Sequence, residues 1–138
     1  MIIIDTGIIV ALLDKDDQYH SWVSAKLKKL STPFYTSEAV LAEAFFLLSR
    51  VRHGTASLVN LLRRPNVILL ESEFELDRKS ILNFLERYQN IPASFADACL
   101  VQMAEKRKGS KIWTLDKHFL IYRIHKNKKI NLIFPVKR

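Results

Sequence analysis

The chain has 138 residues, 49% of them hydrophobic, which supplies one core and leaves no length for a second, so a single domain over 1–138 is expected. Twenty-two Lys and Arg against 14 Asp and Glu leave a formal charge of +8, a balance that favours polyanionic partners such as nucleic acid. The lone Cys99 excludes an internal disulfide and a CxxC zinc site, and Asp5, Asp14, Asp16 and Asp17 interrupt the first apolar run far short of a membrane span, so a cytoplasmic protein without membrane association is expected.

Ile2, Ile3 and Ile4 are three consecutive β-branched residues, the pattern of a strand buried on both faces in mid-sheet. Asp5 stands where that strand ends. It has two readings: a cap for the helix that Thr6 or Gly7 opens, or an acid aimed into the crevice formed by strand carboxyl ends in an open α/β sheet. Ile8, Ile9, Leu12 and Leu13 then recur at helical spacing until Asp14. A second helix is expected over 20–30, carrying Trp22, Val23 and Leu27 inward, and a short strand over 34–36.

Ser37 can cap a helix over 38–51, whose Val40, Leu41, Ala44, Leu47, Leu48 and Val51 form a wide apolar stripe. Glu38 and Glu43 lie at opposite margins of that stripe, and periodicity does not choose between them. Glu38 is explained by its place in the first helical turn; Glu43 has small neighbours, Ala42 and Ala44, that leave room for a substrate or metal. A short helix over 54–62 and a buried strand over 67–70 follow. Ser72 with Glu75 forms a capping-box pair for a helix reaching about 88. Next come a helix over 95–107 ended by Gly109, a strand over 112–114 and a last strand over 131–134 stopped by Pro135. Strands alternate with helices throughout. The fold class is therefore α/β, three layers in α/β/α order around a mostly parallel central sheet.

In such a sheet Asp5 follows the first strand, Asp116 follows the fourth, and Asp97 sits in the first turn of the helix that leads into it. All three can face one crevice, with Glu43 reaching it from the helix after strand two. Each also has a plainer role: Ser94 and Asp97 match a capping box, and Asp116 can cap a turn through Lys117, His118 and Phe119. Two carboxylates about 5 Å apart repel by ~3 kcal/mol at an effective dielectric of 20, so a gathered cluster implies a cation. Oxygen donors without Cys or paired His point to Mg²⁺ or Mn²⁺. His20, His53, His118 and His125 lack HxxxH spacing and read as surface or capping residues. An acidic centre on a basic protein suits a phosphodiester substrate. The basic runs Lys106, Arg107, Lys108 and Lys111, and Arg123, Lys126, Lys128 and Lys129, are more simply solvated ends and loops than binding codes.

These residues resemble the PIN domain family and, within it, the VapC-type toxin ribonucleases. The resemblance spans essentially the whole chain and is carried by IIIDTGIIVALLDKDDQYH, EAVLAEAFFLL and SFADACLVQMAEKRKGSKIWTLDKHF, in order and at family-like spacing. It implies a PIN-like fold and a metal-dependent endoribonuclease, the toxin of a toxin-antitoxin pair. On that resemblance Asp5, Asp97, Asp116 and Glu43 are the catalytic acids and hold Mg²⁺ (or Mn²⁺), Glu43 orienting a ligand or the attacking water. Thr6 and Thr114 support them as neighbouring hydroxyls. RNA as substrate, an antitoxin protein as partner and a homodimer are implied in the same way.

Rival enzyme families fit less well. A haloacid-dehalogenase-type phosphatase needs Asp-x-Asp, and position 7 is Gly7; a receiver domain needs a phosphorylatable Asp after strand three, where Leu70, Glu71 and Ser72 stand. Gly7, Gly54 and Gly109 cannot build a nucleotide-binding glycine turn. The alternative outside enzymes is a non-catalytic RNA-binding or scaffold module on the same fold, which has no need of four acids in one crevice.

Overall fold

Three isoleucines in a row need cover on both faces, and the fold supplies it. In the computed structural model, which describes residues 1–135, β1 (Ile2–Ile4) lies at the centre of a five-stranded sheet, with Ile3 and Ile4 fully enclosed. Its neighbours are β2 (Phe34–Thr36) and β4 (Lys111–Trp113), with β3 (Ile68–Leu70) beyond β2. Two short strands, β5 (Arg123–Ile124) and β6 (Lys128–Lys129), form a separate antiparallel ribbon before β7 (Leu132–Ile133) closes the far edge of the main sheet. The main sheet is parallel throughout, in the order β3-β2-β1-β4-β7.

Among the described residues six helices flank it: α1 (Thr6–Leu13), α2 (His20–Leu27), α3 (Glu38–Leu48), α4 (Gly54–Arg63), α5 (Phe74–Arg87) and α6 (Phe95–Lys106). α1 packs on α2 and α3, α3 on α4, and α5 on α6. The α/β/α class and the mostly parallel sheet are therefore as the alternation of periods indicates. Ala96, Ala98, Leu100, Val101, Met103 and Ala104 bury most of α6, which lies against β1 and β4 and so is enclosed on more than one side. Among the described residues no helix is long and apolar enough to cross a membrane.

Some details differ from the expectations. β3 is an edge strand, with Leu69 and Leu70 exposed rather than buried, because an apolar run reads alike at the edge and the centre of a sheet. The Ser72 and Glu75 pair makes no capping box: α5 starts one residue later behind Glu73, without a side-chain cap, and Glu75 pairs with Arg78 instead. α2 stops at Leu27 and α3 at Leu48, where the following amides bond back three residues in tightened turns. At the start of α4 the chain passes so close to α3 that a Cβ on Gly54 would sit 2.1 Å from the Leu48 carbonyl oxygen, which restricts that position to glycine.

Candidate functional site

The strand order reverses direction at β1: the chain runs outward through β2 and β3, then returns to place β4 on the other side. Ligands of open α/β sheets bind at such a switch point, beyond the strand carboxyl ends. Ile4 pairs with Trp113, so the next residues along, Asp5 and Thr114, meet directly: the Thr114 hydroxyl donates to Asp5 Oδ2 at 2.7 Å. The other oxygen, Oδ1, accepts the Thr6 amide at 2.7 Å at the start of α1. Thr36, on β2, donates its hydroxyl to the Ile4 carbonyl and ties off the strand from the other side.

Thr114 also accepts the Asp116 amide at 2.9 Å, so one fully buried hydroxyl positions two acids. Asp116 caps the 3₁₀ turn Lys117–Leu120: its Oδ1 accepts the His118 amide at 2.9 Å, and the His118 ring Nδ1 lies 2.9 Å from the same oxygen. Asp97 closes the expected capping box of α6: its amide donates to Ser94 Oγ at 3.0 Å, and its Oδ2 faces the Ser94 amide at 3.5 Å. That same Oδ2 accepts the Tyr122 hydroxyl at 2.7 Å.

Asp5, Thr6, Glu43, Ser94, Asp97 and Asp116 line a single open cavity of about 420 Å³. All four acids read from the sequence thus meet at one place, and Glu38, which periodicity left equal to Glu43, is not in its wall. Their charges act on one another across this cavity. Burial pushes the Asp5 carboxyl from 3.8 up to about 7; the bonds from Thr114 and Thr6 oppose that rise, and the charges of Asp97 and Asp116 add to it. Burial likewise raises Asp97 against the bonds from Tyr122 and Ser94, with Asp116 adding. Glu43, at the rim, is raised by partial burial and by Asp97.

The donor chemistry of such a set suits a divalent cation. The bonds to Asp97 all fall on Oδ2 and those to Asp116 all on Oδ1, so each keeps an oxygen for a ligand. The Thr6 hydroxyl in the same wall is buried with no hydrogen-bond partner. Among the described residues, however, no group of three or more His, Cys, Asp or Glu side chains stands close enough to hold a metal ion as it is. Like charges held by separate caps and hydroxyls sit apart, and an ion would have to draw them inward.

Tyr122 is the site residue that the sequence reading missed. It comes three residues after Phe119, and that aromatic spacing across a 3₁₀ turn was its only signal. Burial, together with the bond to Asp97, holds its hydroxyl above the ordinary phenol range, so it stays a donor. Two residues of the first basic run are paired within the protein, Lys106 with Asp77 and Arg107 with Glu71, while Lys108 and Lys111 lie exposed. Lys128 and Lys129 of the second lie exposed on the β5–β6 ribbon.

The model of the PIN domain family matches residues 2–124, a span that holds all four acids and both threonines. The chain belongs to the PIN domain family. Among solved structures, this PIN chain is similar to VapC20 of Mycobacterium tuberculosis, described as a sarcin-ricin loop cleaving toxin, at 25% identity and a TM-score of 0.72, over 85% of this chain and 91% of that one. FitAcB from Neisseria gonorrhoeae shares the fold at 18% identity and a TM-score of 0.57, over 85% and 88% of the two chains. A search of curated protein sequences returned no match. The family match ends at Ile124, so β6 and β7 complete the ribbon and the sheet edge outside it.

Proposed function

We propose that this PIN-domain protein is a divalent-metal-dependent endoribonuclease and the toxin of a toxin-antitoxin pair. The observation that carries the reading is the meeting of Asp5, Glu43, Asp97 and Asp116 on one cavity at the sheet's switch point, with three of them raised in pKa by burial and mutual charge. Such a set fits Mg²⁺ or Mn²⁺ by its oxygen donors, by the unengaged oxygens of Asp97 and Asp116, and by the orphaned Thr6 hydroxyl. Asp5, Asp97 and Asp116 would hold the ion, which supplies positive charge and Lewis acidity toward a phosphodiester. Thr114 fixes Asp5 and the backbone of Asp116 in one geometry. Glu43, the most exposed of the four, would orient the attacking water. The cavity's open mouth admits a polymer backbone, and the exposed lysines of the β5–β6 ribbon add charge that attracts it.

RNA as the polymer, and an antitoxin as partner, are supported by the likeness to VapC20. A homodimer is proposed on the family resemblance. The decisive experiment is cleavage of RNA in Mg²⁺ or Mn²⁺ by the parent and by Asp97→Asn. Loss of cleavage in the variant, with its unfolding temperature shifted by only a few degrees, is expected. A variant that cuts as well as the parent would reduce Asp97 to a helix cap. Growth arrest on expression, relieved by a small co-expressed partner, distinguishes a toxin from a processing nuclease, and a metal-insensitive RNA binder that never cuts would favour the scaffold reading.

A further inference from the structure

The side chain of Asp97 is held less firmly by its capping box than its backbone is. The 3.0 Å bond from the Asp97 amide to Ser94 Oγ fixes the main chain, but the return contact from the Ser94 amide to Oδ2 is 3.5 Å, beyond the ordinary range for N–H···O. The short contact on the carboxylate is the 2.7 Å bond from Tyr122.

Tyr122 is built to keep its hydroxyl in place. Its ring is fully buried and stands edge-on to Phe84, Tyr88 and Phe119, with centroids 4.9, 5.0 and 5.2 Å away. The Tyr88 hydroxyl in turn accepts the amide of Arg123 at 2.9 Å, pinning the chain one residue past Tyr122. A ring confined on three sides presents its O–H at one point. The bond it donates occupies Oδ2 and leaves Oδ1 as the oxygen open to a ligand.

We propose that Tyr122 is a positioning residue for Asp97, fixing which carboxylate oxygen is offered to a divalent cation in the cavity. The proposal rests on the metal-dependent reading above. Partners of this kind, hydrogen-bonded to a metal ligand, typically change metal affinity by about 10- to 100-fold when removed.

The test is calorimetric titration of Mn²⁺ into chelator-treated parent, Tyr122→Phe and Tyr88→Phe proteins, with thermal unfolding of each. Tyr122→Phe, which keeps the ring and loses only the hydroxyl, should bind Mn²⁺ about 10- to 100-fold more weakly. Tyr88→Phe, which loses a hydroxyl one step removed from the carboxylate, should weaken binding clearly less than Tyr122→Phe does. RNA cleavage by Tyr122→Phe should recover as Mn²⁺ is raised. Parental affinity in Tyr122→Phe would overturn the proposal and leave the metal reading standing; equal weakening in both variants would assign the effect to the box and not to the hydroxyl. A parent that binds no Mn²⁺ would overturn the metal reading, and this proposal with it.

Discussion

Asp5 makes the metal-free protein sensitive to pH in the direction opposite to ordinary acid denaturation. Its carboxyl titrates at about 7 in the fold and near 3.8 when the chain is unfolded. Between those values the folded state keeps a proton that the unfolded state has released, so stability falls as pH rises from about 4 to about 7 and levels off above. A shift of about three pH units at about 1.4 kcal/mol each gives a loss of roughly 4 kcal/mol, a large share of the 5–15 kcal/mol typical of a domain. Asp97 and Glu43 are raised as well and act with the same sign. The assay is urea unfolding from pH 4.5 to 8 in a chelator, for the parent and for Asp5→Asn, whose difference isolates this group. The parent should lose ground to the variant from pH 4.5 to about 7, and the gap should level off from there to 8. Mn²⁺ at a hundred times its Kd should recover more than half of the loss above pH 7, since an ion bound only by the folded, ionised site adds about 2.7 kcal/mol at that concentration. Parallel pH profiles for the two proteins, or a parent that gains on the variant with rising pH, would refute the reasoning.

Thr114→Val removes the hydroxyl shared by Asp5 and the Asp116 amide and should destabilise the protein by about 1–3 kcal/mol in urea unfolding, with weaker Mn²⁺ binding. Thr114→Ser, which keeps the hydroxyl, should retain most of the metal affinity. Reversing both exposed ribbon charges with Lys128→Glu and Lys129→Glu should weaken RNA binding without altering Mn²⁺ affinity, and should flatten the dependence of log K on log salt by about 1–2; an unchanged slope would remove the ribbon from the RNA-binding surface.

What the sequence disclosed depended on whether the information was local. Each of the five main strands could be read from a short apolar run with its flanking breakers, and the switch-point position of Asp5 then followed from the order of periods alone. The edge position of β3 could not, because Leu69 and Leu70 carry no mark of which neighbour they lack. The β5–β6 ribbon escaped notice because two residues per strand show no periodicity, and Lys128 and Lys129 read as a charged loop. Periodicity did not separate Glu43 from Glu38; small neighbours and the family resemblance favoured Glu43, and the packing of α3 on α1 and α6 brings it to the cavity wall. Tyr122 was missed because its role is set by a tertiary contact: its partner Asp97 lies 25 residues away, and nothing in local spacing joins a tyrosine after one turn to an acid at the head of another helix.

The cap and the site were posed as competing readings for Asp5, Asp97 and Asp116, yet capping does not remove an acid from the cavity: Asp5 opens α1, Asp97 completes the box of α6 and Asp116 opens the 3₁₀ turn, and all three line the same cavity. The coincidence has a physical cause. Gathering carboxylates at one point is opposed by their repulsion, and a helix start supplies amide donors and, for the two α-helices, the positive end of a dipole that favours an anion there. At Asp97 and Asp116, hydrogen bonds engage one oxygen and leave the second for a ligand, so capping lowers the cost of assembling the cluster without filling it. Parallel strands followed by helices place such starts at the same rim of the sheet, which is why this topology can hold an acidic centre on a chain whose overall charge is +8.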